Sequence, residues 1–183
     1  MANRGAWAEI DLRAIEHNIR EIRKCVRGGA KFCAVVKADA YWHGAVAVAR
    51  LAVAQGADYL AVAVLSEAVK LREAGCTTPI LVLGATQPEE ADTVVDYDVT
   101  QAVFTREAAA ALSAAAVRQG KKAKVHLAID TGMGRIGVRP EAAGDMAAQL
   151  TALPGIELEG MFSHFALSDA KDKTYAHEQF ARL

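Results

Sequence analysis

Lys37 closes the apolar run Phe32 to Val36 and is followed at once by Ala-Asp-Ala-Tyr-Trp-His-Gly. A buried strand rarely ends in an ammonium, and an amine held at the C-terminal mouth of a strand can add to an aldehyde as a Schiff base. Lys37 is therefore the first candidate for chemistry. Tyr41 and His43 follow in what reads as a loop, and Gly44 frees the backbone where the next helix begins. A loop phenol can donate to a phosphate oxygen, and an imidazole can orient the lysine or a nearby carboxylate. The plainer alternative is a surface lysine just past a strand end, with Tyr41 and Trp42 as loop anchors.

Two further clusters follow strand candidates. The run Asp130-Thr131-Gly132-Met133-Gly134-Arg135-Ile136-Gly137 allows tight turns and close backbone approach to a ligand, and Arg135 offers a planar fork of donors to an oxyanion. The run Gly160-Met161-Phe162-Ser163-His164-Phe165 sets His164 beyond a strand end between aromatic residues, where its ring could pack on a flat cofactor or meet an arginine. A solvated arginine and a satisfied core histidine are the structural alternatives. If the strands are parallel, Lys37, Arg135 and His164 reach the same C-terminal face, and that coincidence favours function.

Other chemistries fit poorly. No Gly-Lys-Ser or Gly-Lys-Thr makes the glycine run a P-loop, and its spacing and late position do not suit the dinucleotide fingerprint. His17, His126 and His177 show no H-x-x-H or H-E-x-x-H spacing, so no metal site is expected. Ser163 has no nucleophile elbow around it.

The elements that must position these residues alternate. Strand candidates are Phe32 to Val36, Tyr59 to Val64, Ile80 to Leu83, Thr100 to Phe104, Val125 to Ile129 and Ile156 to Met161. Helix candidates are Leu12 to Val26, Ala45 to Gln55, Glu67 to Ala74, Glu89 to Val95, Glu107 to Gln119, Glu141 to Leu150 and Asp172 to Leu183. Asp11 is the expected cap of the first, with Leu12, Ile15, Ile19, Ile22 and Val26 as its apolar stripe. Successive strands start roughly 20 to 30 residues apart, the length of a strand, two loops and a helix. The pattern is α/β with parallel strands and holds about six β/α units, whereas a closed (β/α)8 TIM-type barrel needs eight strands and about 250 residues. Either the sheet is open, or a barrel stops about two units early; the uncapped last helix favours the second.

With 183 residues, 52% hydrophobic and 23% charged, the chain can bury one sizeable core. A formal charge of -1 without a basic block argues against nucleic acid as partner. No window offers the eighteen or so apolar residues of a membrane span, and the N-terminus lacks a signal-like stretch, so the cytoplasm is the expected location and no membrane is expected as partner. The 3 cysteines, Cys25, Cys33 and Cys76, form no C-x-x-C pair and are expected to be reduced, small buried residues.

The chain resembles the N-terminal barrel portion of the alanine racemase family. The resemblance rests on Trp7-Ala8-Glu9-Ile10-Asp11-Leu12 with Asn18, Ala34-Val35-Val36-Lys37-Ala38-Asp39-Ala40-Tyr41, Leu71-Arg72-Glu73-Ala74-Gly75, Val82-Leu83-Gly84, Asp130 to Gly137, and Gly160 to Ala166 with Asp169. These run in family order along essentially the whole chain. The resemblance implies pyridoxal 5'-phosphate as cofactor and racemisation of a small amino acid, with Lys37 catalytic and cofactor-holding. It also implies Tyr41 at the phosphate, Arg135 at the phenolic oxygen and His164 beside the pyridine ring. It implies a homodimer whose partner subunit supplies, from a C-terminal β-domain, the tyrosine for the opposite face of the substrate. Residues 1–183 would then be the N-terminal portion of the barrel without that domain, and this chain alone would turn over little. Close relatives acting on serine share most of the pattern, and a non-catalytic cofactor-binding barrel is a further alternative. Two departures stand out: Trp42 where the family has glycine, with bulk that should disturb the backbone path, and Ala128 where the family often has a lysine steadying the arginine.

Overall fold

The computed structural model describes Gly5 and residues 7–183. Met1 to Arg4 and Ala6, part of the N-terminus read above as lacking a signal-like stretch, lie outside the described residues.

The chain opens with α1 (Leu12–Cys25), capped as expected by Asp11, whose carboxylate accepts from the backbone N–H of Arg13 at 2.8 Å and Ala14 at 3.3 Å. Its apolar stripe is only partly used. Ile15 and Ile19 pack with Phe32, Leu51 and Ala52, while Leu12 and Ile22 are exposed, because the helix lies against the barrel through its middle turns alone.

Six strands follow, β1 (Cys33–Val35), β2 (Tyr59–Val62), β3 (Ile80–Val82), β4 (Thr100–Val103), β5 (Ala123–Ala128) and β6 (Ile156–Phe162). All neighbouring pairs are parallel, and the spatial order β1-β2-β3-β4-β5-β6 equals the chain order. An unreversed order winds every crossover to the same side, so the helices form one outer layer and the sheet curls into a barrel wall. The fold is the expected incomplete TIM-type barrel, with six strands present.

The outer layer comprises α3 (Ala45–Ala54), α4 (Leu65–Glu73), α5 (Ala91–Asp96) preceded by a 3-10 turn at Pro88–Glu90, α6 (Arg106–Gln119) and α7 (Pro140–Ala152). Leu60, Val62, Ile80, Val82, Val103, Val125 and Leu127 face it and pack against Leu65, Leu71, Val94, Leu112 and Leu150. These side chains are almost fully buried, and truncating any of the leucines to alanine should cost about 2–5 kcal/mol. The last helix, α8 (Thr174–Ala181), folds over the C-terminal mouth of β5 and β6 through bonds described below.

Two expectations are corrected. The segment after Lys37 is no irregular loop: Lys37–Trp42 forms one left-handed helical turn, α2. The cysteines are not core residues either. Cys25 and Cys33 are exposed and Cys76 is half-buried; Cys33 shares the inner face of edge strand β1 with the exposed Val35. Among the described residues no helix is long and apolar enough to cross a membrane.

Candidate active site

Among the described residues the left-handed turn is the longest run of non-glycine residues at positive φ. Ala38, Asp39, Ala40, Tyr41 and Trp42 have φ of 50, 53, 53, 54 and 68 degrees, and none is glycine. Each such residue crowds its Cβ against the following carbonyl at about 1–2 kcal/mol, so the run costs several kcal/mol before anything holds it. Hydrogen bonds from within the turn and from α3 and α4 hold it. Ala40 N–H donates to Val36 O at 2.9 Å and Gly44 N–H to Asp39 O at 2.9 Å, closing the turn on itself. Asp39 Oδ1 accepts from Ala45 N–H at 2.9 Å and from Lys70 Nζ at 3.2 Å, and these two donors hold its carboxyl below the usual range. Glu67 Oε1 accepts from Ala38 N–H at 2.5 Å.

The consequence is a reversal of direction directly after β1. Lys37 and Tyr41, four residues apart, both line the inner cavity, whereas Trp42 does not and is 83% exposed. Trp42 therefore adopts the backbone path expected to need glycine and turns its ring away from the cavity. His43 does not enter the cavity either; its Nδ1 lies 2.9 Å from Ala40 O, at the end of the turn.

The glycine run between β5 and α7 solves the same problem with different residues. Asp130 Oδ1 accepts the N–H groups of Gly132 and Gly134, each at 3.0 Å, and these bonds hold its carboxyl below the usual range. Gly132, Gly134 and Gly137 have φ of 144, 71 and 115 degrees. At Gly137 a Cβ would lie 2.6 Å from Asp130 N, because Asp130 N–H bonds Val138 O and the loop returns onto β5. Arg135 rides on this loop and lines the cavity. Ala128, where the family often has lysine, lines it too and leaves the guanidinium without a charged neighbour from that position.

Helix α8 fastens the loop from outside. Tyr175 Oη donates to Gly132 O at 2.6 Å, and Arg182 donates to Thr131 O at 3.1 Å. Gln179 is fully buried: its Nε2 donates to Thr131 Oγ1 at 3.2 Å and His164 O at 3.1 Å, while its Oε1 accepts from Ala166 N–H at 2.9 Å. Thr131 Oγ1 and Ser163 Oγ are 2.7 Å apart. The arginine loop and the His164 segment are thus stitched together.

Lys37, Tyr41, Arg135 and His164 all line one cavity of about 490 Å³, completed by Val35, Ala63, Leu83, Gly84, Met133, Ile136 and Phe162 among others. Below it, toward the N-terminal ends of the strands, the hydroxyls of Tyr59 and Thr100 lie 2.6 Å apart and each 3.1 Å from Glu159 Oε2. Burial pushes the Tyr59 phenol up to about 12 and His126 down, so at neutral pH both are uncharged beneath a polar floor. Sequence reasoning passed over Glu67, Asp39 and Gln179 as site residues. The only sequence signal for Glu67 is an acid near a helix start, three residues before Lys70.

The sequence matches the family model described as alanine racemase, N-terminal domain, over residues 10–183. The chain belongs to this family. An alanine racemase of Desulfovibrio desulfuricans is 53% identical over 99% of this chain and 49% of its own length, and one of Methanococcus maripaludis is 44% identical over 100% and 49%. The chain spans about half the length of the curated relatives it matches. Among solved structures, an alanine racemase of Clostridium difficile 630 in complex with cycloserine superposes with a TM-score of 0.94 at 40% identity, covering 100% of this chain and 50% of that one. The enzyme from Bacillus anthracis with bound L-Ala-P gives 0.90 at 38%, covering 100% and 47%. The alanine racemase likeness therefore extends over the whole barrel wall described above.

Proposed function

We propose that residues 1–183 are the N-terminal barrel portion of a pyridoxal-phosphate-dependent racemase that interconverts L- and D-alanine. The observation that carries this is the convergence of Lys37, Tyr41, Arg135 and His164 on one cavity. The donor set fits the cofactor group by group. Lys37 would give its amine to the aldehyde, Tyr41 its phenol to the phosphate, Arg135 its guanidinium to the phenolic oxygen and His164 its imidazole to the flat ring. Apolar Val35, Leu83 and Phe162 supply surface for the ring faces.

When bound, the cofactor accepts the electron pair left as the substrate loses its α-proton. Lys37 Nζ anchors the cofactor and takes or returns that proton on one face of the substrate. Tyr41 Oη would donate to the phosphate, Arg135 would offer its positive charge to the phenolic oxygen, and His164 would support the ring. The acid-base group for the other face comes from the partner subunit of a homodimer, in a cytoplasmic enzyme. A small substrate is consistent with the relatives' names and with the cycloserine and L-Ala-P carried by two of them.

The test is α-proton exchange into L-alanine in deuterated water with pyridoxal phosphate, read by NMR alongside D/L interconversion. Exchange that disappears in Lys37→Ala is expected. Exchange that survives the substitution unchanged would overturn Lys37 as the base. Preference for serine would reassign the substrate, and no exchange with any amino acid despite cofactor binding would make this a non-catalytic barrel.

A further inference from the structure

Glu67 is outside the cavity, yet its carboxylate reaches the backbone that carries Lys37. It stands at the third position of α4, where Oε2 accepts the N–H of Ala63 at 2.8 Å and of Val64 at 3.3 Å. That would suffice as a helix cap. Its other oxygen, however, crosses to the neighbouring β/α unit and accepts Ala38 N–H, 29 positions away in sequence. Ala38 is the first residue of the left-handed run and the one directly after Lys37.

We infer that Glu67 is a positioning residue for Lys37: its carboxylate ties the first left-handed peptide to the end of β2, so that the lysine leaves β1 aimed into the cavity. An alanine at φ 50 degrees has no preference of its own for that conformation, so the direction of Lys37 depends on an external acceptor. Lys70, one helical turn further along α4, holds Asp39 in the same run. The α4 helix therefore grips the turn at two adjacent residues, and of these Glu67 is the grip next to Lys37. The inference rests on the proposed function for what Lys37 does, and on the geometry alone for what Glu67 holds.

Two readouts on the whole chain separate these. Amide hydrogen exchange at Ala38, without cofactor, reads the grip: Glu67→Ala should raise it about tenfold, and Glu67→Gln, which keeps one acceptor, by less. Amides of β4 and β5 report on global opening and should be unmoved. Ser66→Ala, on the neighbouring exposed residue of α4, should leave Ala38 as in the parent. The second readout is the fraction of Lys37 labelled by pyridoxal phosphate and borohydride relative to the other lysines, corrected for the folded fraction from urea melts. It should fall about tenfold in Glu67→Ala. Unchanged Ala38 exchange, or a labelling loss that tracks the unfolded fraction alone, overturns the inference. Faster Ala38 exchange in a protein whose Lys37 never labels would leave Glu67 as a grip on the turn and defeat the proposed cofactor role instead.

Discussion

The Lys37 turn and the Asp130 to Gly137 loop deliver functional side chains to the same cavity by opposite means. The loop reaches left-handed angles with glycines and satisfies its amides with its own Asp130. The turn reaches them with Ala-Asp-Ala-Tyr-Trp and depends on α4 and α3 to hold it. Glycine makes a backbone path cheap but also loose, and the loop is accordingly fastened again by Tyr175, Gln179 and Arg182. Residues with side chains make the path costly, and once held it has fewer alternatives. Lys37, the proposed cofactor anchor, is on the costly path.

The largest expected effect would break the glycine side of this comparison. Gly137→Val places a branched side chain at φ 115 degrees with its Cβ 2.6 Å from Asp130 N and 2.8 Å from Ile129 C, backbone atoms that cannot give way. Urea denaturation should show a loss of about 3–5 kcal/mol or no folded protein. A loss under about 1 kcal/mol would mean that the loop does not return onto β5 as described. Next is the outer fastening. Gln179→Ala leaves Thr131, His164 O and Ala166 N–H short of partners and should cost about 2–3 kcal/mol. Hydrogen exchange should quicken at Ala166 before the β4 amides.

On the other side, Trp42→Gly should raise stability by about 1 kcal/mol, because it relieves one left-handed side chain whose ring is 83% exposed and packs little. A destabilised variant would show that the ring carries packing that its exposure does not suggest. The smallest effect is the pH dependence of Asp130. Its carboxyl is held below the ordinary value of 3.8, so its contribution is present above that value and fades as pH falls through the lowered one. Asp130→Asn should therefore be less stable than the parent at neutral pH, and the gap should close in acid. A gap independent of pH would remove the charge from the account.

The same contrast explains what could be read from sequence. The β/α alternation, the parallel order and the glycine loop were legible because apolar runs and glycines at fixed spacings have few other uses. Strand ends were less so: β2 stops at Val62, since Ala63 and Val64 already serve the Glu67 cap. The left-handed turn has no signature in the sequence, because alanine carries no signal for that conformation. Glu67 and Gln179 were missed as site residues for a related reason. Their partners lie 29 and 48 positions away, and only the folded sheet with its packed helices brings them together.

Lys37, alone among the lysines, lines the cavity proposed to take pyridoxal phosphate. Adding the cofactor joins the lysine nitrogen to the aldehyde carbon with loss of water, and borohydride then reduces that C=N bond to a stable amine. Peptide mapping of the reduced protein reads which lysine reacted. The account predicts the label on Lys37 in preference to the exposed Lys24, Lys70 and Lys121 and its loss in Lys37→Ala, whereas a label spread over surface lysines with Lys37 unmodified would contradict it.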